Sequence, residues 1–152
     1  MTDELQRVRI DRLTYGGDGM GVLADGRAVF VPFTLAGEEV AIRIREQRRN
    51  YCRADLVEVL AASPKRIQPR CVHFGVCGGY HYQPVSAEDQ LEIRREILRD
   101  QLARIARLPE AAVAVTIPSA KVWEYRNTLQ FHLTPAGKPG FMAQRSHQVI
   151  DI

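Results

Sequence analysis

The chain has 152 residues, with 21 Lys and Arg against 18 Asp and Glu, so its formal net charge is +3. A content of 45% hydrophobic and 26% charged residues is typical of an ordinary globular protein and excludes wholesale disorder, collagen and coiled coil. Apolar runs stay far below the ~18 residues of a spanning helix, and the start Met1-Thr2-Asp3-Glu4 is acidic where a signal peptide is basic. We therefore expect a cytoplasmic protein without a membrane partner.

The first sixty residues predict about five short strands joined by turns. The Asp25-Gly26 pair lies between two apolar runs and is typical of a tight antiparallel hairpin. Residues 40–45 alternate aliphatic and charged positions, which places their arginines on the solvent face of a strand. Residues 54–60 form the last strand. Five strands without an intervening helix predict a small closed barrel, because closure removes exposed strand edges.

A glycine cluster, Gly17, Gly19 and Gly21, lies near the start of the predicted barrel. A phosphate-binding loop needs a following helix whose amide groups face the phosphate, and here a strand over 22–24 follows. The cluster is therefore interpreted as turn glycines. The sequence shows no catalytic motif.

The positive charge is concentrated in one segment. Residues 43–70 contain eight basic and three acidic residues, a charge of +5, which leaves −2 for the rest of a chain whose total is +3. Guanidinium groups suit phosphate oxygens and an aromatic ring can stack on an unpaired base, so this segment favours RNA binding over a merely solvated surface. The predicted RNA-binding residues are Arg43, Arg45, Arg48, Arg49, Tyr51, Arg53, Lys65 and Arg66.

Residues 63–85 are predicted to form a linker that carries two of the three cysteines. Cys71 and Cys77 are too few for an iron-sulfur cluster or a structural zinc site, each of which needs four ligands. His73 and His81 would complete a Cys2His2 set, although the spacing fits no standard zinc finger. A zinc-dependent interaction module and a pair of unligated thiols both remain open.

A helix is predicted to begin after Ser86, which has capping-box spacing to Asp89. Its predicted apolar stripe consists of Leu91, Leu98, Leu102 and Ile105, widened by Ile97. Strands are then predicted over 113–117, 127–133, 140–143 and 148–152. The last strand runs to the final residue, so residues 86–152 are interpreted as an incomplete domain of one long helix and several strands.

An ordered run of motifs resembles the N-terminal part of the RNA uracil-5 methyltransferases. These motifs are Pro32-Phe33-Thr34-Leu35-Ala36-Gly37-Glu38, Val40-Ala41-Ile42, Ser63-Pro64-Lys65-Arg66, Cys71-Val72-His73-Phe74-Gly75-Val76-Cys77-Gly78-Gly79, Gln90-Leu91, Tyr125-Arg126-Asn127, Gly140-Phe141 and Ser146-His147-Gln148-Val149-Ile150-Asp151-Ile152. The family uses S-adenosylmethionine to methylate ribosomal or transfer RNA. The resemblance covers nearly all of this chain and about the first third of a typical member.

The resemblance implies a TRAM domain of OB type over residues 1–62, an iron-sulfur type segment over 63–85 and an incomplete central α/β domain over 86–152. The family's S-adenosylmethionine site, nucleophilic cysteine and general base lie downstream. We therefore expect this chain to bind ribosomal or transfer RNA as a monomer, with no cofactor and no activity of its own. Only Cys71 and Cys77 match the cluster ligands, since Tyr80 occupies the third position, so no [4Fe-4S] cluster is expected. A stand-alone RNA-binding protein or chaperone is the alternative.

Overall fold

The computed structural model describes residues 5–152, so the acidic start at Met1-Thr2-Asp3-Glu4 lies outside the described residues. Its elements, in chain order, are β1 Gln6–Leu13, β2 Gly19–Val22, β3 Ala28–Val31, β4 Glu39–Gln47, β5 Tyr51–Ala61, α1 Ala87–Arg104, β6 His132–Leu133, β7 Pro139–Met142 and β8 Val149–Asp151. The first five strands close into a barrel in the order β1-β2-β3-β5-β4. This confirms the predicted barrel followed by one long helix and further strands. The described residues contain no helix long and apolar enough to cross a membrane.

The barrel core follows from the two-residue period of its strands. Alternate side chains point inward and are buried: they are Val8, Ile10, Leu23, Val29, Val31, Val40, Ile42, Cys52 and Ala54. Full burial of one such aliphatic side chain contributes about 1.5–3 kcal/mol. The outward positions of β4 include Arg43 and Arg45, which are exposed as the alternation predicts. The barrel therefore presents its basic side chains to solvent.

The Asp25-Gly26 hairpin is confirmed, because β2 and β3 pair antiparallel and Gly26 has φ +85°. The interpretation of the glycine cluster is only partly correct. Gly17 lies in a turn with φ +91°, whereas Gly19 and Gly21 lie inside β2, which begins before the expected 22–24 strand. A Cβ at Gly21 would lie 2.2 Å from the Arg9 carbonyl oxygen, so this glycine allows a close approach of β1 to β2.

The helix begins as predicted, with the Ser86 hydroxyl accepting the Asp89 N–H at 3.0 Å. Its predicted apolar stripe is only partly correct, because Leu98 is 46% exposed and Ile105 is 74% exposed. Ile97, which the prediction placed at the edge of the stripe, is the buried position. A second core cluster joins the helix to one end of the barrel and consists of Leu13, Leu35, Val85 and Ile97. Ile93 of the helix also packs against this cluster, whereas Leu98 and Ile105 lie outside it.

The C-terminal part forms a three-stranded antiparallel sheet, β6-β7-β8. The strand expected over 113–117 is wrong, and the one expected over 127–133 is reduced to His132–Leu133. Side chains instead hold residues 113–117 against the helix: Thr116 donates to the Leu91 carbonyl at 3.0 Å, and Arg95 donates to the Val113 carbonyl. Apolar sequence alone predicted strands here, but strand pairing requires a neighbouring strand with free backbone groups.

Candidate nucleic-acid interface

The hairpin between β4 and β5 gathers the basic side chains on the barrel surface. We call Arg43, Arg45, Arg48, Arg49, Tyr51 and Arg53 the basic hairpin. Its turn is closed by the Arg48 N–H, which donates to the Tyr51 carbonyl at 2.8 Å. Arg43 and Arg45 point outward from β4, and Tyr51 and Arg53 point outward from β5, because side chains alternate along each strand. The structure therefore brings these six predicted residues together.

Carboxylates on the same surface orient the guanidinium groups without burying them. Arg45 contacts Asp55, and the Arg48 Nε donates to Glu46 at 2.6 Å. The side chains of Arg45 and Arg48 nevertheless stay 66% and 62% exposed. The hydrogen bond that Arg48 donates to Glu46 raises the pKa of Arg48. Such exposed pairs are weak, and each guanidinium has five N–H donors, so donors remain for a phosphate.

An aromatic ring is fixed beside these charges. Tyr51 packs edge to face on Phe30 of the neighbouring strand β3, with 5.9 Å between ring centroids. The Arg53 guanidinium lies 6.0 Å from the Tyr51 centroid. Phe30 was missed by the sequence reasoning, because its neighbour Tyr51 is distant in the chain and only the parallel β3–β5 pairing brings them together. The resulting platform has the chemistry for stacking on an unpaired base.

Lys65 and Arg66 lie outside the basic hairpin and are held by other carboxylates. Lys65 Nζ lies 2.9 Å from Asp89 at the helix N-terminus, and the hydrogen bond to Asp89 raises the pKa of Lys65. Arg66 donates to both oxygens of Glu38, which is fully buried, and to the Phe33 carbonyl at 2.8 Å. The guanidinium of Arg66 thus holds the linker to the barrel. An RNA contact by either residue stays a prediction.

A groove runs between the barrel and the C-terminal sheet, next to the basic hairpin. Its volume is about 830 Å³. Its polar and aromatic side chains are Tyr15, Asp18, Arg53, His81, His132, Phe141, Gln144, Arg145, Ser146 and His147. Asp18 bridges the two sides, with Oδ2 lying 3.8 Å from Arg53 and 3.3 Å from Arg145. Sequence reasoning missed Tyr15, Asp18 and Arg145 as functional candidates, because Asp18 and Arg145 are 127 residues apart in the chain.

The cysteine segment does not form a metal site in the structure. Cys71, Cys77 and His73 line one cavity of about 430 Å³ together with Tyr80 and Trp123. Across residues 5–152, no group of three or more His, Cys, Asp or Glu side chains could hold a metal ion. The structure does not bring the four residues of the zinc-module hypothesis together as one ligand set, since His81 is directed to the Gly16 carbonyl, 2.8 Å from its Nδ1. With Tyr80 in place of a third thiolate, the residues do not fit a [4Fe-4S] cluster.

Hydrogen bonds hold the cysteine segment in place of a metal. The Tyr80 hydroxyl donates to the Gln90 side chain at 2.8 Å, and the Gln90 amide donates to the Tyr82 carbonyl at 3.2 Å. The Cys71 N–H donates to the buried Gln83 side chain at 2.9 Å. These contacts attach the segment to the helix. At the position where the resemblance implies a cysteine, Tyr80 thus stabilises the segment through its hydrogen bond to the helix.

We expect Tyr80→Phe to destabilise the chain by about 1 kcal/mol, the usual net value of one hydrogen bond. For a chain of this length that corresponds to a fall of about 2–4 °C in Tm. A chelator should leave Tm unchanged in both proteins, since hydrogen bonds rather than a metal hold the segment. The measurement is a thermal melt by circular dichroism with and without chelator. Tyr15→Phe, which removes the hydroxyl of an exposed tyrosine, is the control; a chelator-induced fall in Tm would contradict the expectation.

Comparison with known proteins identifies the barrel. Residues 1–57 match the family model of the TRAM domain. The closed five-stranded barrel is therefore a TRAM domain, an OB-like fold by its strand order. The basic hairpin and the Tyr51 ring lie on the outer face of this domain.

Two relatives and one solved structure match nearly the whole chain. It is 33% identical over 152 residues to an RNA methyltransferase of Aquifex aeolicus, all of this chain and 35% of the relative. It is 33% identical over 145 residues to the 23S rRNA (uracil(1939)-C(5))-methyltransferase RlmD of Halomonas elongata, 94% of this chain and 30% of the relative. The crystal structure of Pyrococcus abyssi tRNA (uracil-54, C5)-methyltransferase with S-adenosyl-L-homocysteine matches with TM-score 0.60 and 27% identity, over 95% of this chain and 31% of that one.

The chain thus spans about a third of the length of the curated relatives it matches. It carries a TRAM domain and is similar, over nearly its whole length, to part of several proteins named RNA methyltransferases, among them uracil-C5 enzymes of 23S rRNA and tRNA. The resemblance deduced from the ordered motifs is confirmed.

Proposed function

We propose that this chain binds unpaired RNA through the basic hairpin and is the RNA-recognition part of an RNA uracil-5 methyltransferase. The observation that carries the proposal is the set of exposed guanidinium groups beside the fixed Tyr51 ring on a TRAM barrel. Phosphate contacts would supply most of the affinity, and stacking on Tyr51 would favour an unpaired base. The relatives' names and the solved neighbour support RNA as the partner.

The part played by this chain is to hold and position the RNA. Enzymes that modify a base remove it from its stack at a cost of a few kcal/mol, and contacts to the flanking strand offset that cost. S-adenosylmethionine would supply the methyl group, as the S-adenosyl-L-homocysteine complex of the neighbour supports. By the resemblance, its site would lie in the two thirds of the enzyme that this chain does not span. A cytoplasmic location and a monomeric state remain predictions. The stand-alone RNA-binding alternative predicts the same interface.

Salt dependence tests the RNA proposal directly. About four phosphate contacts should give a slope near −3 for log affinity against log salt concentration on single-stranded RNA, at about −0.7 per phosphate. Combining Arg43→Ala, Arg45→Ala, Arg48→Ala and Arg49→Ala should remove most of this slope, because these four arginines would make most of the phosphate contacts. The measurement is fluorescence anisotropy with an RNA of about 12 nucleotides, within the site size of one OB fold.

A second quadruple variant controls for net charge. It replaces four exposed basic residues of the helix and of the segment after it by alanine: Arg99, Arg104, Arg107 and Lys121. The same charge is removed, but the basic hairpin is intact, so the slope should stay near its original value. Equal losses in both variants, or an affinity of the unmodified chain that does not depend on salt, would remove the RNA assignment.

A further inference from the structure

We propose that the groove between the barrel and the C-terminal sheet is a second contact site for the same RNA strand, with Tyr15 stacking on a base and Arg145 binding a phosphate. The inference rests on the proposed RNA-binding function and extends it to a surface that the TRAM barrel alone does not possess. Arg53 connects the two surfaces, because it belongs to the basic hairpin and also lines the groove. A strand leaving the Tyr51 platform therefore meets the groove next.

The dimensions of the groove suit a ligand of nucleotide size. Its volume of about 830 Å³ falls within the range of about 300–1,000 Å³ of small-molecule sites. The barrel supplies one side through Tyr15, Gly16, Asp18 and Arg53, and the turn after β7 supplies the other through residues 143–147. The groove thus has walls from both parts of the chain.

Tyr15 is a large aromatic side chain displayed on a fixed turn. It is 81% exposed. The turn is closed by the Gly17 N–H, which donates to the Thr14 carbonyl at 3.0 Å, and by the Thr14 N–H, which donates to the Asp18 carbonyl at 2.9 Å. Gly16 and Gly17 have φ +96° and +91°, which suit glycine. The fixed turn sets the backbone position from which the ring extends, so the backbone has little conformational freedom to lose when a base stacks on Tyr15.

Arg145 is the phosphate-binding candidate on the opposite side. Asp18 Oδ2 lies 3.3 Å from Arg145 and 3.8 Å from Arg53, so one carboxylate orients two guanidinium groups and leaves the trio with a charge of +1. Asp18 occupies few of their ten N–H donors, and the rest can meet phosphate oxygens. Arg145 has φ +54°, a left-handed conformation that favours glycine, and the backbone bond from Gln144 to the Val76 carbonyl at 2.9 Å helps to hold its turn.

The test uses the whole chain and a single-stranded RNA of about 12 nucleotides that carries 2-aminopurine, whose fluorescence falls when the base stacks. Tyr15→Ala should weaken binding by about 5-fold or more and reduce the quenching, because one base loses its stacking partner. Tyr15→Phe should bind as tightly as the unmodified chain and quench as much, since the ring remains. Arg145→Ala should reduce the magnitude of the salt slope by about 0.7, the value of one phosphate contact.

Asp18→Asn separates phosphate binding from a purely structural role of Arg145. If Arg145 binds phosphate, removal of the nearby negative charge should leave the salt slope intact and the affinity at least as high as that of the unmodified chain. If Arg145 only holds the two parts together, Asp18→Asn should weaken binding as much as Arg145→Ala does, and the proposal is overturned. Arg99→Ala, which removes a helix charge outside the groove, is the control and should change neither quantity.

The failures of the two proposals are distinguishable. RNA binding that is lost in the basic-hairpin variant but unchanged by Tyr15→Ala and Arg145→Ala overturns the groove and leaves the proposed function standing. An unmodified chain without salt-dependent RNA binding overturns both.

Discussion

Arg66→Ala is expected to lower the free energy of unfolding by about 3–5 kcal/mol, the usual cost of removing one partner from a buried ion pair. Glu38 is 0% exposed, and its carboxylate accepts hydrogen bonds from Arg66 Nε at 2.5 Å and Arg66 Nη2 at 2.8 Å. It also accepts the backbone N–H groups of Leu35 and Ser63. Without the guanidinium the carboxylate stays buried with only these two neutral donors, which do not balance its charge.

Urea unfolding followed by circular dichroism measures this effect as a shift of the midpoint. Arg48→Ala is the matched control, because Arg48 also forms an arginine–glutamate pair, with Glu46 at 2.6 Å, but on the exposed surface. That variant should cost less than about 1 kcal/mol. Arg66→Lys should fall between the two, since lysine keeps the charge but not the planar fork that contacts both carboxylate oxygens. Equal small losses for Arg66→Ala and Arg48→Ala would contradict the structural role of Arg66.

The double variant Glu38→Gln with Arg66→Met provides a second check. It removes both charges, so no ion is left buried alone, and it should lower the free energy of unfolding less than Arg66→Ala does by itself.

The stability of Arg66 variants also matters for RNA-binding measurements. Any loss of RNA affinity in an Arg66 variant has to be measured on protein shown to be folded, because Arg66 connects the linker after β5 to the barrel.

Local sequence was sufficient to predict the barrel and the basic hairpin. The alternation in residues 40–45 and the Asp25-Gly26 turn each involve neighbours in the chain, and both predictions are confirmed. Residues 43–53 are consecutive in the chain, so a single hairpin brings them together independently of the rest of the fold. Phe30 beside Tyr51 and Asp18 beside Arg145 depend instead on tertiary pairing. No local pattern contains that information, which is why the sequence predicted one surface and missed the groove.

The helix shows a different limit of sequence reasoning. Its start at Ser86 was predicted because a cap is a local hydrogen-bond pattern. Its buried face was predicted only in part: Ile97 is buried, but Leu98 is exposed and Ile93 packs against the core, because the barrel end decides which apolar positions are covered. Lys65 and Arg66 were likewise grouped with the RNA-binding residues by charge alone. Only the structure shows that their carboxylate partners, Asp89 and Glu38, hold them away from the basic hairpin.

Gly21→Ala should destabilise the chain by about 3 kcal/mol, the upper end of typical overpacking costs. A Cβ at this position would lie 2.2 Å from the Arg9 carbonyl oxygen and 2.9 Å from Val8 Cγ2. A backbone oxygen within a paired strand has no alternative rotamer, so β1 and β2 would have to separate. These two strands share the register Ile10↔Gly21 within a closed barrel, and a displacement would be transmitted to the core residue Ile10.

Gly26→Ala is the matched control, because it adds the same methyl group to the same hairpin where nothing lies within 4 Å. Its cost should be about 1 kcal/mol, since only the left-handed conformation at φ +85° disfavours alanine. Urea midpoints at constant m-value compare the two. If Gly26→Ala proved the more damaging substitution, the close approach of β1 and β2 would not be the reason for a glycine at position 21. A barrel that tolerates Gly21→Ala without loss would instead need β1 to bend away at its bulge between Ile10 and Arg12, which a changed register would reveal.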